Sequence, residues 1–115
     1  MVWIGPQGCV SPLHYDPLDN IFLQCVGVKR ISLYAPQEED SKNECFYPGY
    51  NNGQYNTSGV DVEQPDFETF PLFRNAAPLV RQVVVRAGDL LFIPAKWWHH
   101  VRSLEYSVSI NVFWR

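Results

Sequence analysis

An all-β fold, a sandwich or barrel of short antiparallel strands, is the class the sequence predicts, and three observations predict it. Short runs rich in Val, Ile, Leu and aromatic residues recur between Gly, Pro, Asn and Asp punctuation. Helical periodicity is confined to one brief segment, and the strand–helix–strand alternation that builds a doubly wound parallel sheet is missing. With 115 residues, 46% of them hydrophobic and 18% charged, the chain can bury a core, and its length allows a single domain.

The N-terminal "MVWIGPQGCV" lacks a basic stretch followed by an apolar one, and no run approaches the ~18 apolar residues a membrane helix needs. "SPLHYDPLDN", residues 11 to 20, reads as extended chain. "NIFLQCV" (20 to 26) and "KRISLYA" (29 to 35) are β-rich runs parted at Gly27-Val28, which predicts a tight hairpin of two antiparallel strands. From Pro36 to Val60 the composition turns to Glu, Asp, Asn, Gly and Tyr, a long irregular excursion of the kind that carries function or disorder. Its acidic run "QEEDSKNE" (37 to 44) reads as a solvated loop, with attraction of a basic peptide as the second reading. "QPDFETFPLF" (64 to 73) predicts one short helix that starts near Pro65-Asp66 and ends before Pro71, because the residue ahead of a proline avoids the α region. Three more strands follow: 79 to 85, 89 to 93 continuing through 97 to 102, and 106 to 114, with Ala87-Gly88-Asp89 as the turn between the first two.

A net charge of −3 without clustered Lys and Arg argues against direct nucleic-acid binding. Three cysteines (Cys9, Cys25, Cys45) with no Cys-x-x-Cys spacing indicate neither a disulfide framework nor a zinc ribbon, and fit a reducing, intracellular compartment. The sequon Asn56-Thr57-Ser58 is a tripeptide common by chance, and no other feature points to secretion.

In extended chain, side chains alternate faces, so His14 and Asp16 point one way and Tyr15 the other, which lets the pair grip one ion. "WWHHV" offers a third ligand. His99 shares a face with Trp97 and Val101, His100 with Trp98 and Arg102, and a ligand facing an apolar interior is better shielded than one beside an arginine. His99 is therefore the expected ligand, meeting the other two from the opposite sheet. Two His and one carboxylate with open positions opposite suit non-haem Fe(II), while zinc with its preference for four ligands stays open, as does the reading of ordinary core or surface histidines. Lys29 falls on the face of Ile31 and Leu33. A lysine there is costly unless an anion pairs with it, and a bound dicarboxylate is the candidate; snorkelling to water is the other reading.

These residues and the stretches "WIGPQG", "SPLHYDP..N", "LYAPQE", "VDVEQPDFETFPLF", "GDLLFIPAKWWHHVRSL" and "SVSINVFW" make the sequence resemble the JmjC-domain Fe(II)- and 2-oxoglutarate-dependent oxygenases. The likeness runs over the whole chain, 1 to 115, and is nearest to the small protein-hydroxylase branch, the lysine-specific demethylase eight or arginyl hydroxylase type. Next comes the asparaginyl hydroxylase that inhibits hypoxia-inducible factor. The resemblance implies a double-stranded β-helix of the cupin or jelly-roll type. It implies iron held by His14, Asp16 and His99, Lys29 on the C5 carboxylate of 2-oxoglutarate, and Ser11 and Asn20 as further cosubstrate contacts. Trp3 and Asn111 sit where the family lines the same pocket, though Trp3 and Phe113 also read as core aromatics. It implies oxygenation of a protein or peptide with 2-oxoglutarate and O2 as cosubstrates: hydroxylation of a side chain, arginine by the nearest likeness, or N-methyl-lysine demethylation, with a catalytically silent interaction module as the alternative of another class. A nuclear or cytoplasmic location and no membrane partner go with it. Family members carry further strands and helices ahead of "WIGPQG", so the barrel is expected to lack its N-terminal strands and to expose sheet edges prone to self-association.

Overall fold

A computed structural model of the protein describes residues 1–37, 43–50 and 53–114. Eight strands run through the described residues: β1 Val2–Gly5, β2 Val10–His14, β3 Asp19–Val26, β4 Val28–Tyr34, β5 Arg81–Arg86, β6 Leu90–Ile93, β7 Trp98–Ser103 and β8 Ser107–Trp114. They build two four-stranded antiparallel sheets, the first in the order β1-β8-β3-β6 and the second in the order β2-β7-β4-β5. Every connection except β4 to β5 crosses between sheets, which is the winding of a double-stranded β-helix. No helix among the described residues is long and apolar enough to cross a membrane.

That winding corrects two expectations. β3 and β4 are not a hairpin: β3 pairs with β6 and β8, while β4 pairs with β5 and β7. Gly27 is the corner between sheets, at φ +76°, and a Cβ there would stand 2.0 Å from the Tyr106 carbonyl oxygen and 2.8 Å from Ser107 Oγ. Gly27→Ala combines left-handed strain with a clash against backbone, so a loss of about 3 kcal/mol or more is expected in urea or thermal unfolding. A loss below about 1 kcal/mol would mean the 106–107 backbone yields freely. Nor does the strand at 90 to 93 continue into 98 to 103. The Pro94–Trp97 turn carries Lys96 at φ 69° and sends β6 and β7 into different sheets. The turn expected near Gly88 is present at the β5–β6 corner, with Gly88 N donating to the Gln24 carbonyl at 2.8 Å and Asp89 Oδ2 accepting from Arg86 N at 2.8 Å.

The helix expected over 64 to 73 is also corrected. Asp66 closes a turn by accepting from Glu68 N, Thr69 N and the Thr69 hydroxyl, and the helical geometry begins where it was expected to stop, as short 3-10 turns over Pro71–Asn75 and Ala77–Leu79. A proline fits the first turn of a helix, where its missing N–H costs nothing.

Two cores result. Phe22 and Ile93 of the first sheet meet Ile31, Leu33, Val85 and Val101 of the second between the layers. On the outer face of the second sheet, Leu13, Tyr34 and Trp98 pack with Cys45, Phe46, Val60, Phe70, Phe73 and Ala76 from the long β4–β5 connection. The irregular excursion is thus a cover for the second sheet; residues 38–42 and 51–52, including most of the acidic run, lie outside the described residues. Among the described residues none covers the outer face of the first sheet, and Val2, Ile4, Leu90, Phe92, Val112 and Trp114 are exposed on it.

Candidate metal centre

β2 carries a bulge that sets the site. Ser11 pairs with Val101 and His14 with His99, three steps on one strand against two on the other. The extra residue falls at Pro12-Leu13, where a proline is tolerated because a bulge needs one fewer ladder bond. It turns Leu13 into the outer core and leaves both Ser11 and His14 facing the space between the sheets. His99 therefore reaches His14 from the neighbouring strand of the same sheet, not from the opposite sheet as expected.

The segment after β2 is clamped on two sides. Tyr15 N donates to the Asn56 carbonyl at 2.9 Å and Asn56 Nδ2 to the Tyr15 carbonyl at 3.2 Å, while Thr57 bridges His14. From the β6–β7 turn, Lys96 N donates to the Asp16 carbonyl and Ala95 N to Asp19 Oδ1, both at 2.8 Å. Asp16 Oδ2 then lies 3.7 Å from His14 Nε2 and 3.5 Å from His99 Nε2, and the two imidazole centroids are 4.2 Å apart. The three ligand atoms lie within 4.8 Å of one another.

Hydrogen bonding fixes the tautomers. His14 Nδ1 faces the Pro12 carbonyl at 2.8 Å and His99 Nδ1 the Trp97 carbonyl at 3.0 Å; a carbonyl only accepts, so each Nδ1–H donates and each ring is held with Nε2 toward Asp16. Burial, reinforced by neighbouring His14 and opposed by the Trp97 carbonyl and Asp16, holds the His99 pKa down at about 4. His99 is neutral at pH 7, as a metal ligand must be.

A cavity of about 470 Å3 opens beside this cluster, and Trp3, Ser11, His14, Asp16, Asn20, Lys29, His99 and Asn111 all line it. Lys29, only 7% exposed, faces it from β4, its Nζ 5.3 Å from the centroid of the Phe22 ring. Among the described residues no carboxylate lies within ion-pair distance of it, and burial, partly offset by Cys9, lowers its pKa. Asn111 Nδ2 donates to Asn20 Oδ1 at 3.1 Å, which leaves Asn20 Nδ2 and Asn111 Oδ1 buried without partners. Two imidazoles plus one carboxylate, an ammonium with no counter-charge, and an unused amide donor in one cavity form a donor set that fits a divalent metal with a dicarboxylate. Trp3 is half exposed at the mouth, so it is not a core aromatic, and Phe113 lines the cavity as well. Phe22 and Cys9 were missed in the sequence; only their strand neighbours carried a signal.

His100 points the other way. It is buried on the outer face, with Nε2 3.8 Å from Glu63 Oε1, and Asp61, Glu63 and His100 form a second group with metal-ligand spacing. Both Glu63 oxygens are already taken: Arg102 donates to them from Nε and Nη2, and Arg30 from Nη2, all at 2.6 Å. The Arg102 bond is the leading cause that drops the Glu63 pKa from 4.5 to about 2. A depressed carboxylate stabilises the fold above its ordinary value and loses that contribution as pH falls toward about 2, so Glu63→Gln is expected to flatten the acid limb of stability between pH 4.5 and 2. Melting temperature against pH for both proteins checks this; parallel curves would assign the network no net role.

An antiparallel β-helix with two imidazoles and a carboxylate at the edge of its inter-sheet cavity defines a protein of the cupin type with a candidate metal centre. The chain belongs to the cupin-like domain family, whose model matches residues 1–115, and it is of the JmjC kind. It is 46% identical to JmjC domain-containing protein D of Dictyostelium discoideum, over 94% of this chain and 23% of that protein. It is 47% identical to lysine-specific demethylase 8 of Danio rerio, over 97% of this chain and 26% of the relative. With tRNA wybutosine-synthesizing protein 5 of Gallus gallus the identity is 41%, over 97% and 32% respectively. The chain thus spans between 23% and 32% of the length of these relatives.

Proposed function

We propose that the protein is an Fe(II)- and 2-oxoglutarate-dependent oxygenase that hydroxylates a side chain of a protein substrate in an intracellular setting, nuclear or cytoplasmic. The observation that carries the reading is the meeting of His14, Asp16 and His99 with an uncompensated Lys29 in one cavity. His14, Asp16 and His99 hold the iron; Lys29 binds the far carboxylate of the cosubstrate; Ser11, Asn20 and Asn111 orient it, and Trp3 shields the mouth. With O2, the iron and 2-oxoglutarate supply the oxidising power that inserts oxygen into a C–H bond and releases succinate and CO2. The chain's own part is positioning: the clamped 14–16 segment fixes Asp16, the carbonyls of Pro12 and Trp97 fix the imidazoles, and the apolar walls around Lys29 exclude water.

Arginine as the target rests on the resemblance alone. N-methyl-lysine demethylation is the second reading, favoured by relatives named lysine-specific demethylase. The test is turnover by the purified chain on a peptide panel with and without Fe(II). An oxygen-atom mass gain matched by succinate supports hydroxylation; formaldehyde matched by succinate and lost in His14→Ala supports demethylation. No iron-dependent succinate with any peptide would leave an interaction module.

A further inference from the structure

The rim of the outer aromatic core opens into a second cavity, of about 540 Å3, behind the metal ligands. Its walls are largely rings: Tyr15, Tyr47, Tyr55 and Trp98 line it with Leu72, and Glu44 is the only charged side chain in its described lining. Strand alternation turns Tyr15 away from His14 and Asp16 and sets it edge-on to Trp98, with centroids 4.9 Å apart. Tyr47 is held by Leu72 N donating to its hydroxyl at 3.0 Å and by edge-to-face packing on Phe70 at 4.8 Å. Tyr55 is 80% exposed and stands free at the opening.

Aromatic faces carry negative potential, so four rings and one carboxylate, with no cation among the described lining residues, make a cavity in which an anion is repelled and an organic cation is held by rings and carboxylate together. The tyrosines do not form a cage over the metal ligands, because none of His14, Asp16 and His99 lines this cavity. A cation seated here is therefore not the group being oxidised.

We infer that this cavity is a docking pocket for a basic side chain, ammonium or guanidinium, of the substrate polypeptide, separate from the residue presented to the metal. The inference rests on the protein-oxygenase reading and adds a recognition element to it. The two cavities lie on opposite faces of one sheet, with Tyr15 lining one and His14 and Asp16 the other. Side chains on the two faces of a sheet end on the order of 10 Å apart, and extended chain advances ~3.3 Å per residue. The basic residue thus sits about three to five positions from the modified one in a peptide crossing the end of the sheet.

The test is calorimetric titration of the metal-free chain with equal-length capped Gly/Ser peptides that carry one Arg, Lys, trimethyl-Lys, Gln or Pro. Basic peptides are expected to bind more tightly than the Gln and Pro peptides, and Glu44→Gln and Tyr55→Ala each to weaken them about three- to tenfold. Fe(II) and 2-oxoglutarate affinities stay unchanged in both variants. Preference for trimethyl-Lys assigns the rings as the main contact, and preference for Arg assigns Glu44. Equal binding of the Gln or Pro peptide, or basic-peptide binding untouched in both variants, overturns the pocket. Because the readout needs no turnover, a chain that binds basic peptides yet never forms succinate removes the oxygenase reading, whereas turnover without basic selectivity removes this one.

Discussion

His99→Ala abolishes Fe(II) binding, and His100→Ala, one residue along, leaves it within about threefold: this is the largest contrast expected of any adjacent pair in the chain. Losing a group that merely orients a ligand costs about 10- to 100-fold in metal affinity, and losing the ligand itself costs more. His99 is 5% exposed, neutral at pH 7 and aimed at Asp16 by the Trp97 carbonyl. His100 faces Glu63 across the sheet, where its loss disturbs an ion-pair network and not the cavity. Fe(II) titration under anaerobic conditions, with circular dichroism to verify folding, separates the two. The reverse order of effects would place the metal on the outer face and falsify the proposed centre.

Lys29→Ala is expected to raise the 2-oxoglutarate dissociation constant at least tenfold with iron still bound, since breaking a buried charge-paired hydrogen bond costs on the order of 2–5 kcal/mol. The same change should do no harm to the ligand-free fold, because a buried ammonium without a counter-charge is a liability there. Its lowered pKa gives a further check. The unfolded chain holds the proton more tightly than the fold does, so stability rises with pH in the alkaline window up to about 10.5, and Lys29→Met should remove that rise. An unchanged dissociation constant would mean that the lysine serves solvation alone.

What the sequence made legible was local. Alternation put His99 and His100 on opposite faces and Lys29 with Ile31 and Leu33, and the structure keeps both assignments, since a period of two follows from the strand itself. Pairing was not legible. Gly27 is as good a residue for a hairpin as for a corner between sheets, and only the Tyr106 backbone and Ser107 hydroxyl packed against it decide. Lys96 likewise gives no sign that it adopts a left-handed conformation and ends a sheet. Nothing in the sequence marks Glu63, yet it gathers Arg30 and Arg102 from neighbouring strands. The outer core was hidden for the same reason: Phe46 and Trp98 stack at 4.8 Å across more than fifty residues of chain, which no window along the sequence spans.

The uncovered first sheet has a consequence for how the protein behaves in the tube. Val2, Ile4, Leu90, Phe92, Val112 and Trp114 form an exposed apolar face with only −3 of net charge on the whole chain to keep copies apart. Attraction between such faces comes from water released at contact, a force that grows on warming and in sulfate and fades near freezing. Turbidity on gentle heating, cleared on return to ice and deepened by ammonium sulfate, is the behaviour to expect well below the temperature at which the β-helix itself melts.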